Sequence, residues 1–273
     1  MYTAASGISR RALLAALGSA AIFAVMGRQA QASAPAVYML GSTKVLLNTY
    51  ANGHGRFSYF APHSNETTAV AVAKLAVSKH GGSLLWLTHG DGQRNITFTL
   101  NGKKYVVDPN RIFSDAGAET SLKNLGSKNF SPEALSAVRD LATLIAQRIF
   151  AQPAATVVGV HNNTNGAPLS IRSYENEPHS GSCPECGNQA ASAGGAYANP
   201  KLDPDDFFFV TRGDFFDSIE RRGFNVAVQS AHVADDGSLS VYCQRLGVPY
   251  INVEAQMGHS TAQRAMLEAI QTL

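Results

Sequence analysis

Charged side chains are few in this chain of 273 residues, cysteines number three, and beyond the front segment no apolar run reaches 18 residues. Each shortage excludes something. Charged residues are 15% of the chain, and 22 Lys and Arg face 20 Asp and Glu. That balance gives no sign of a basic face for nucleic acid or for an anionic membrane. A membrane-crossing helix needs about 20 apolar residues, so none is expected after the front segment. No internal repeat and no second core are evident. The 45% of apolar residues is enough for one sizeable globular core.

The front segment reads as an export signal. Ser9-Arg10-Arg11 precedes an uncharged stretch from Ala12 to Met26, and Ala30-Gln31-Ala32 offers a small-x-small cleavage site. The paired arginines are similar to the twin-arginine pattern, although Leu13 stands where Phe is usual. An uncleaved signal anchor is the alternative. Residues 1–32 are therefore set apart. Arg10, Arg11 and Arg28 go with them, so 22 basic residues less three leaves 19 against 20 acidic ones. Residues 33–273 are expected to form a single domain working in the periplasm or outside the cell.

Helical and strand patterns alternate along that domain. Val45–Leu47, Phe57–Phe60 and Ser83–Thr88 read as strands, with a helix over Glu66–Lys79 stopped by Gly81-Gly82. Asn101-Gly102 joins Ile96–Leu100 to Lys104–Val107 as a hairpin. A longer helix opens at Ser131, with Pro132 in its first turn and Leu135, Val138, Leu141, Ala142, Ile145 and Ile149 in one apolar stripe. Strands follow at Thr156–Val160, Phe224–Val228 and Tyr250–Val253, and helices at Asp214–Arg222 and Thr261–Leu273. This alternation predicts a three-layer α/β/α sandwich with a mixed, mainly parallel central sheet, the hairpin adding antiparallel strands to it. Residues 168–206 are rich in Gly, Ser, Asn and Pro and read as a long irregular insertion.

Four short segments carry the chemistry. In Pro62-His63-Ser64-Asn65-Glu66, His63 and Glu66 stand at a strand end and in a first helical turn. Imidazole and carboxylate suit zinc, and a catalytic zinc takes three protein ligands. His161, directly after the strand Thr156–Val160, fits the third place. Taken singly, these residues read equally as a surface pair and a structural histidine. In Asp108-Pro109-Asn110-Arg111-Ile112-Phe113, Asn110 and Arg111 could together bind a carboxylate, or form a surface turn. Glu254 leaves the apolar strand Tyr250–Val253, where partial desolvation suits a general base; a pair with Arg245 or Arg264 is the alternative.

In this order the segments resemble the zinc carboxypeptidase-like superfamily, nearest its succinylglutamate desuccinylase and aspartoacylase group. That group carries H-G-N-E, D-L-N-R-x-F, D-L-H-N-T-T and a Glu followed by a turn. The resemblance spans about residues 55–260. It implies one zinc ion held by His63, Glu66 and His161, with Glu254 moving a proton from water to the leaving amine. It implies a substrate carboxylate on Asn110 and Arg111, and Arg94 beside the developing oxyanion. Ser64 stands where the group has Gly, Pro109 where it has Leu, and Val160 where it has an acidic residue. The activity implied is hydrolysis of an amide bond, with a peptide or an N-acyl amino acid as substrate and cell-wall peptides as the abundant peptide in that compartment. A binding module without activity is the third reading.

Weaker signals remain. Cys183-Pro184-Glu185-Cys186 suggests a local disulfide in an exported chain, ahead of a structural zinc completed by Cys243 or His179. Arg172 and Tyr174 follow His161 closely enough to reach a substrate. His179, His232 and His259 are candidates for substrate contact, or surface imidazoles.

Overall fold

The structure is a computed structural model that describes residues 31–90, 92–151, 156–166, 168–175 and 192–273. The front segment up to residue 30 and the Cys183–Cys186 pair lie outside the described residues.

Eleven described strands occur in chain order, interleaved with six helices. They are β1 (Gln31–Leu40), β2 (Thr43–Asn52), β3 (Phe57–Ala61), α1 (Thr67–His80), β4 (Gly82–His89), β5 (Ile96–Leu100) and β6 (Lys103–Val107). Then come α2 (Asp115–Asn124), α3 (Pro132–Ile149), β7 (Thr156–Asn163), a 3₁₀ turn at Ile171–Tyr174, β8 (Ala193–Tyr197) and β9 (Phe207–Val210). The chain closes with α4 (Gly213–Arg221), β10 (Val226–Gln229), α5 (Leu239–Leu246), β11 (Tyr250–Gln256) and α6 (Ser260–Ile270).

Nine strands form one sheet in the order β1-β2-β4-β3-β7-β11-β9-β10-β8. The sheet is mixed. Its centre, β4-β3-β7-β11, is parallel throughout. Its flanks are antiparallel at β1/β2, β2/β4, β11/β9 and β10/β8, a larger antiparallel share than the alternation suggested. The Asn101-Gly102 hairpin does form, with both residues at positive φ (50° and 74°). It differs from expectation in place: β5 and β6 make a separate two-stranded sheet. Its Ile96, Phe98, Tyr105 and Val107 pack into the core instead.

Strand alternation sends successive side chains to opposite faces. Phe60 and Val157 join one cluster with α2, α3 and α5, while Tyr59 and Val158 join another with α1, α4 and α6. Both sheet faces are therefore covered by helices. Helix α3 starts as its sequence requires, with Ser131 Oγ accepting from Ala134 N at 3.1 Å and Pro132 in the first turn.

The insertion is less irregular than its composition. β8 adds an edge strand to the sheet, and Tyr174 packs on Phe207 and Phe209. At the other edge, Gln31 and Ala32 already pair with Ala51 and Tyr50. The expected cleavage site thus overlaps the start of β1.

Candidate metal centre and its cavity

The parallel centre puts three neighbouring strand ends together. His63 follows β3, His161 lies near the end of β7, and Glu254 lies on β11 directly opposite His161. Ligand sites in open α/β sheets sit at such carboxyl ends. Glu66, the residue before α1, completes the group.

His63, Glu66 and His161 each offer a ligand atom, and these atoms lie within 4.8 Å of one another. Their exposures are 1%, 0% and 2%, so the group is sealed from the protein side. His63 Nδ1 is 2.7 Å from Glu66 Oε1, and the two Nδ1 atoms are 3.3 Å apart. Glu66 Oε2 is buried and 3.1 Å from His161 Nδ1, yet it makes no hydrogen bond of acceptable geometry. A buried carboxylate oxygen beside an imidazole nitrogen without a hydrogen bond costs free energy. A divalent cation removes that cost, and two imidazoles with one carboxylate are a zinc-type donor set. The residues present therefore fit such an ion.

The electrostatics agree. Burial would raise the Glu66 pKa, but His63 and His161 overcome it and hold the carboxylate well below its usual range. Burial and Arg94 both act to lower the His63 pKa, yet Glu66 and Asp108 leave it raised. Asp108 was not singled out from the sequence. His63 Nε2 lies 2.9 Å from its Oδ1, which fixes the imidazole and turns Nδ1 toward Glu66. Asp108 is also held far below its usual range, because His63, Arg94 and Arg111 outweigh its burial. A carboxylate from the Asp108–Arg111 turn thus braces His63, a candidate metal ligand, whereas His161 is preceded by Val160. The sequence signal was the Asp108 that opens that turn.

A second brace runs through buried amides. Gln263 Nε2 on α6 donates to His161 O at 2.8 Å, and its Oε1 accepts from Asn162 Nδ2 at 3.1 Å. Asn162 Oδ1 accepts from Ala69 N in the first turn of α1 at 2.8 Å, and its Nδ2 reaches Ala255 O at 3.3 Å. One amide chain thus links α6, β7, β11 and α1 around the group.

A cavity of about 710 Å³ opens beside it, with His161, Arg94, Asn110, Arg111, Tyr174 and Glu254 in its wall. Tyr250, Asn252 and Glu254 alternate along β11 and face it together. Asn252 Nδ2 donates to Glu254 Oε1 at 3.0 Å, while Arg245 pairs with Asp235 rather than with Glu254. Arg94 Nη1 donates to Glu66 Oε1 at 2.5 Å. Arg111 Nη1 donates to Asp236 Oδ2 at 2.8 Å. Tyr174 is buried in the wall, and burial pushes its phenol pKa up.

Other candidates lie apart. Arg172 is exposed and outside the cavity wall. His232 is exposed, and His259 pairs with Asp206 at 3.1 Å. Cys243 is a buried free thiol whose pKa burial pushes up to about 12. His179 lies outside the described residues.

No family model matches the sequence, and no curated protein matches it either. Among solved structures, the chain is similar to an aspartoacylase family protein from Mesorhizobium loti at 13% identity and TM-score 0.36, covering 87% of this chain and 69% of that one. It is similar to a candidate metallopeptidase from Shewanella amazonensis at 14% identity and TM-score 0.39, covering 87% and 84%. A candidate metallopeptidase from Shewanella baltica stands at 14% and 0.37, with the same coverages.

Proposed function

We propose that the chain is a metal-dependent hydrolase of a carbon–nitrogen amide bond that lies near a substrate carboxylate. The observation that carries this reading is the buried convergence of His63, Glu66 and His161, with an unsatisfied Glu66 oxygen, beside a cavity that also holds Glu254. The three residues would hold one zinc ion. The chemistry zinc supplies in such a place is Lewis acidity toward the scissile carbonyl and the attacking water.

The chain's own residues do the rest. Glu254 takes a proton from the attacking water at a carboxylate oxygen and delivers it to the departing nitrogen. Asn252 keeps one of its oxygens occupied and so orients the other. Arg94 shares the cavity wall, and its guanidinium stabilises negative charge developing on the carbonyl oxygen. Arg111 and Asn110 hold the substrate carboxylate.

The export signal supports a periplasmic or secreted protein, and a Cys183–Cys186 disulfide would suit an oxidising compartment. Among described residues no helix is long and apolar enough to cross a membrane. In that setting the reading favours carboxypeptidase or amidase action on cell-wall peptides. Removal of the acyl group from small N-acyl amino acids is the second reading, which the amide-rich cavity wall (Asn65, Asn163, Asn165) suits.

The test is mass spectrometry of products from a mixed muropeptide digest. Residues 33–273, zinc-supplemented, would be run beside the Glu254→Gln protein. Release of an amino acid or peptide by the unaltered protein alone supports the first reading and names the bond. Absence of release, with release of free amino acid from an N-acyl panel, moves the assignment to the second. No hydrolysis of either set by a protein carrying stoichiometric metal leaves a binding module.

A further inference from the structure

The outer wall of the cavity contains an anion that the proposed chemistry does not use. Asp236 pairs with Arg111 through Oδ2, and its Oδ1 accepts from Ser238 N at 2.9 Å. Its segment is clamped onto the Asp108–Arg111 turn. Phe113 N donates to Gly237 O at 2.9 Å, and Ser114 Oγ donates to Asp235 Oδ1 at 2.8 Å. Gly237 has φ +73°, and a Cβ there would collide with the Arg111 carbonyl. The carboxylate is therefore built into position, yet its side chain is 46% exposed and lines the cavity. Tyr174, in the same wall, feels the charges of Glu254, Arg111 and Asp236 together, so the pair and the base belong to one space.

Consider a substrate carboxylate arriving at Arg111, as the proposed function requires. It finds a second carboxylate on the same guanidinium. Two like charges sharing one cation repel, unless the substrate brings a cation of its own. Arginine has donors on more than one edge, so Arg111 can keep Asp236 on Nη1 and receive a second carboxylate elsewhere. A cation touching Asp236 then sits within a few ångströms of that carboxylate. That is the spacing within a single free amino-acid end.

We infer that Asp236 and Arg111 together form a recognition site for an unblocked α-amino acid, Arg111 taking its carboxylate and Asp236 its ammonium. With its α-nitrogen free, such a unit carries the scissile amide on its side chain. The substrate class is therefore an amino acid acylated on a side-chain nitrogen, with its α-ammonium and carboxylate exposed. The inference rests on the proposed role of Arg111.

Isothermal titration of the zinc-supplemented protein with DL-lysine and with 6-aminohexanoate tests it. The two probes share the carboxylate and the terminal amine, and differ in the α-ammonium alone. DL-lysine should bind at least about tenfold more tightly. Asp236→Asn keeps an acceptor for Ser238 N and should bind both probes alike. Equal affinities in the unaltered protein, binding of neither probe, or a preference that survives in Asp236→Asn would overturn the inference. A parallel loss of both affinities in Asp236→Asn would also overturn it, since Asp236 would then only orient Arg111. Failure of hydrolysis on the muropeptide and N-acyl sets, with the binding preference intact, would strike the hydrolase reading alone.

Discussion

The two ends of the cavity are built differently. At the deep end, His63, Glu66 and His161 are at most 2% exposed. They come from two strand ends and a helix start, and are braced by Asp108 and by the Asn162–Gln263 amides. At the outer wall, Arg111 and Asp236 have side chains 25% and 46% exposed, and both come from loops. The difference separates two demands. Ligands to an ion must hold their relative positions within fractions of an ångström, and buried cross-links from several elements do that. Groups that choose a substrate must stay accessible, so a clamped loop suffices.

The largest effect should come where the two ends meet. Glu254→Gln should lower kcat by about 10² to 10⁴ with the fold intact, read as product release beside an unchanged melting curve. An equal rate in the variant would remove Glu254 from the mechanism. Next, Gln263→Leu should weaken metal affinity by about 10- to 100-fold although it touches no ligand side chain. Leaving His161 O and the Asn162 amide without this partner should also cost roughly 1–3 kcal/mol of stability. Chelator competition separates the two effects, and Gln263→Glu, which keeps an acceptor but loses the donor to His161 O, should fall between. If metal affinity is unmoved, the deep end is not braced by the amides.

Acid should loosen the deep end of the metal-free protein. Glu66 and Asp108 have folded pKa values depressed below their ordinary 4.5 and 3.8, so their stabilisation is present above those values. It is lost as pH falls toward their folded pKa values. His63 has a raised folded pKa, so its contribution is full below the ordinary 6.5 and is lost as pH rises through the folded value. The metal-free melting temperature should therefore peak between pH 4.5 and 6.5. Added zinc should instead favour the alkaline side, because its ligands bind deprotonated. The smallest effect lies away from both ends. Ser131→Ala removes the α3 cap and should cost about 1 kcal/mol by denaturant titration, with metal binding unchanged.

Much of the architecture was legible because its signals are local. Ser131-Pro132 marks a helix start within two residues, and Asn101-Gly102 a hairpin. His63 and His161 could be picked out because each stands just beyond a β-rich run, His161 directly and His63 after Pro62. What was missed depends on distant partners. Asp108 gains its meaning from His63, 45 residues earlier, and Gln263 from His161, 102 residues earlier. Asp236 gains its meaning from Arg111, 125 residues earlier, and nothing near it in sequence announces that partner. β8 escaped because Ala193–Tyr197 has small residues without alternation, and α2 because Asp115–Asn124 has little apolar periodicity. Both are set by packing rather than by propensity.

The amide chain also has a consequence in time. Synthesis makes His63, Glu66 and His161 long before it makes Gln263, so these residues precede the helix that anchors His161. The amide chain that anchors His161 can close only after residues 260–270 have been made and have docked. Under the proposed metal-dependent reading, full affinity at this site would come only once α6 has docked on β7.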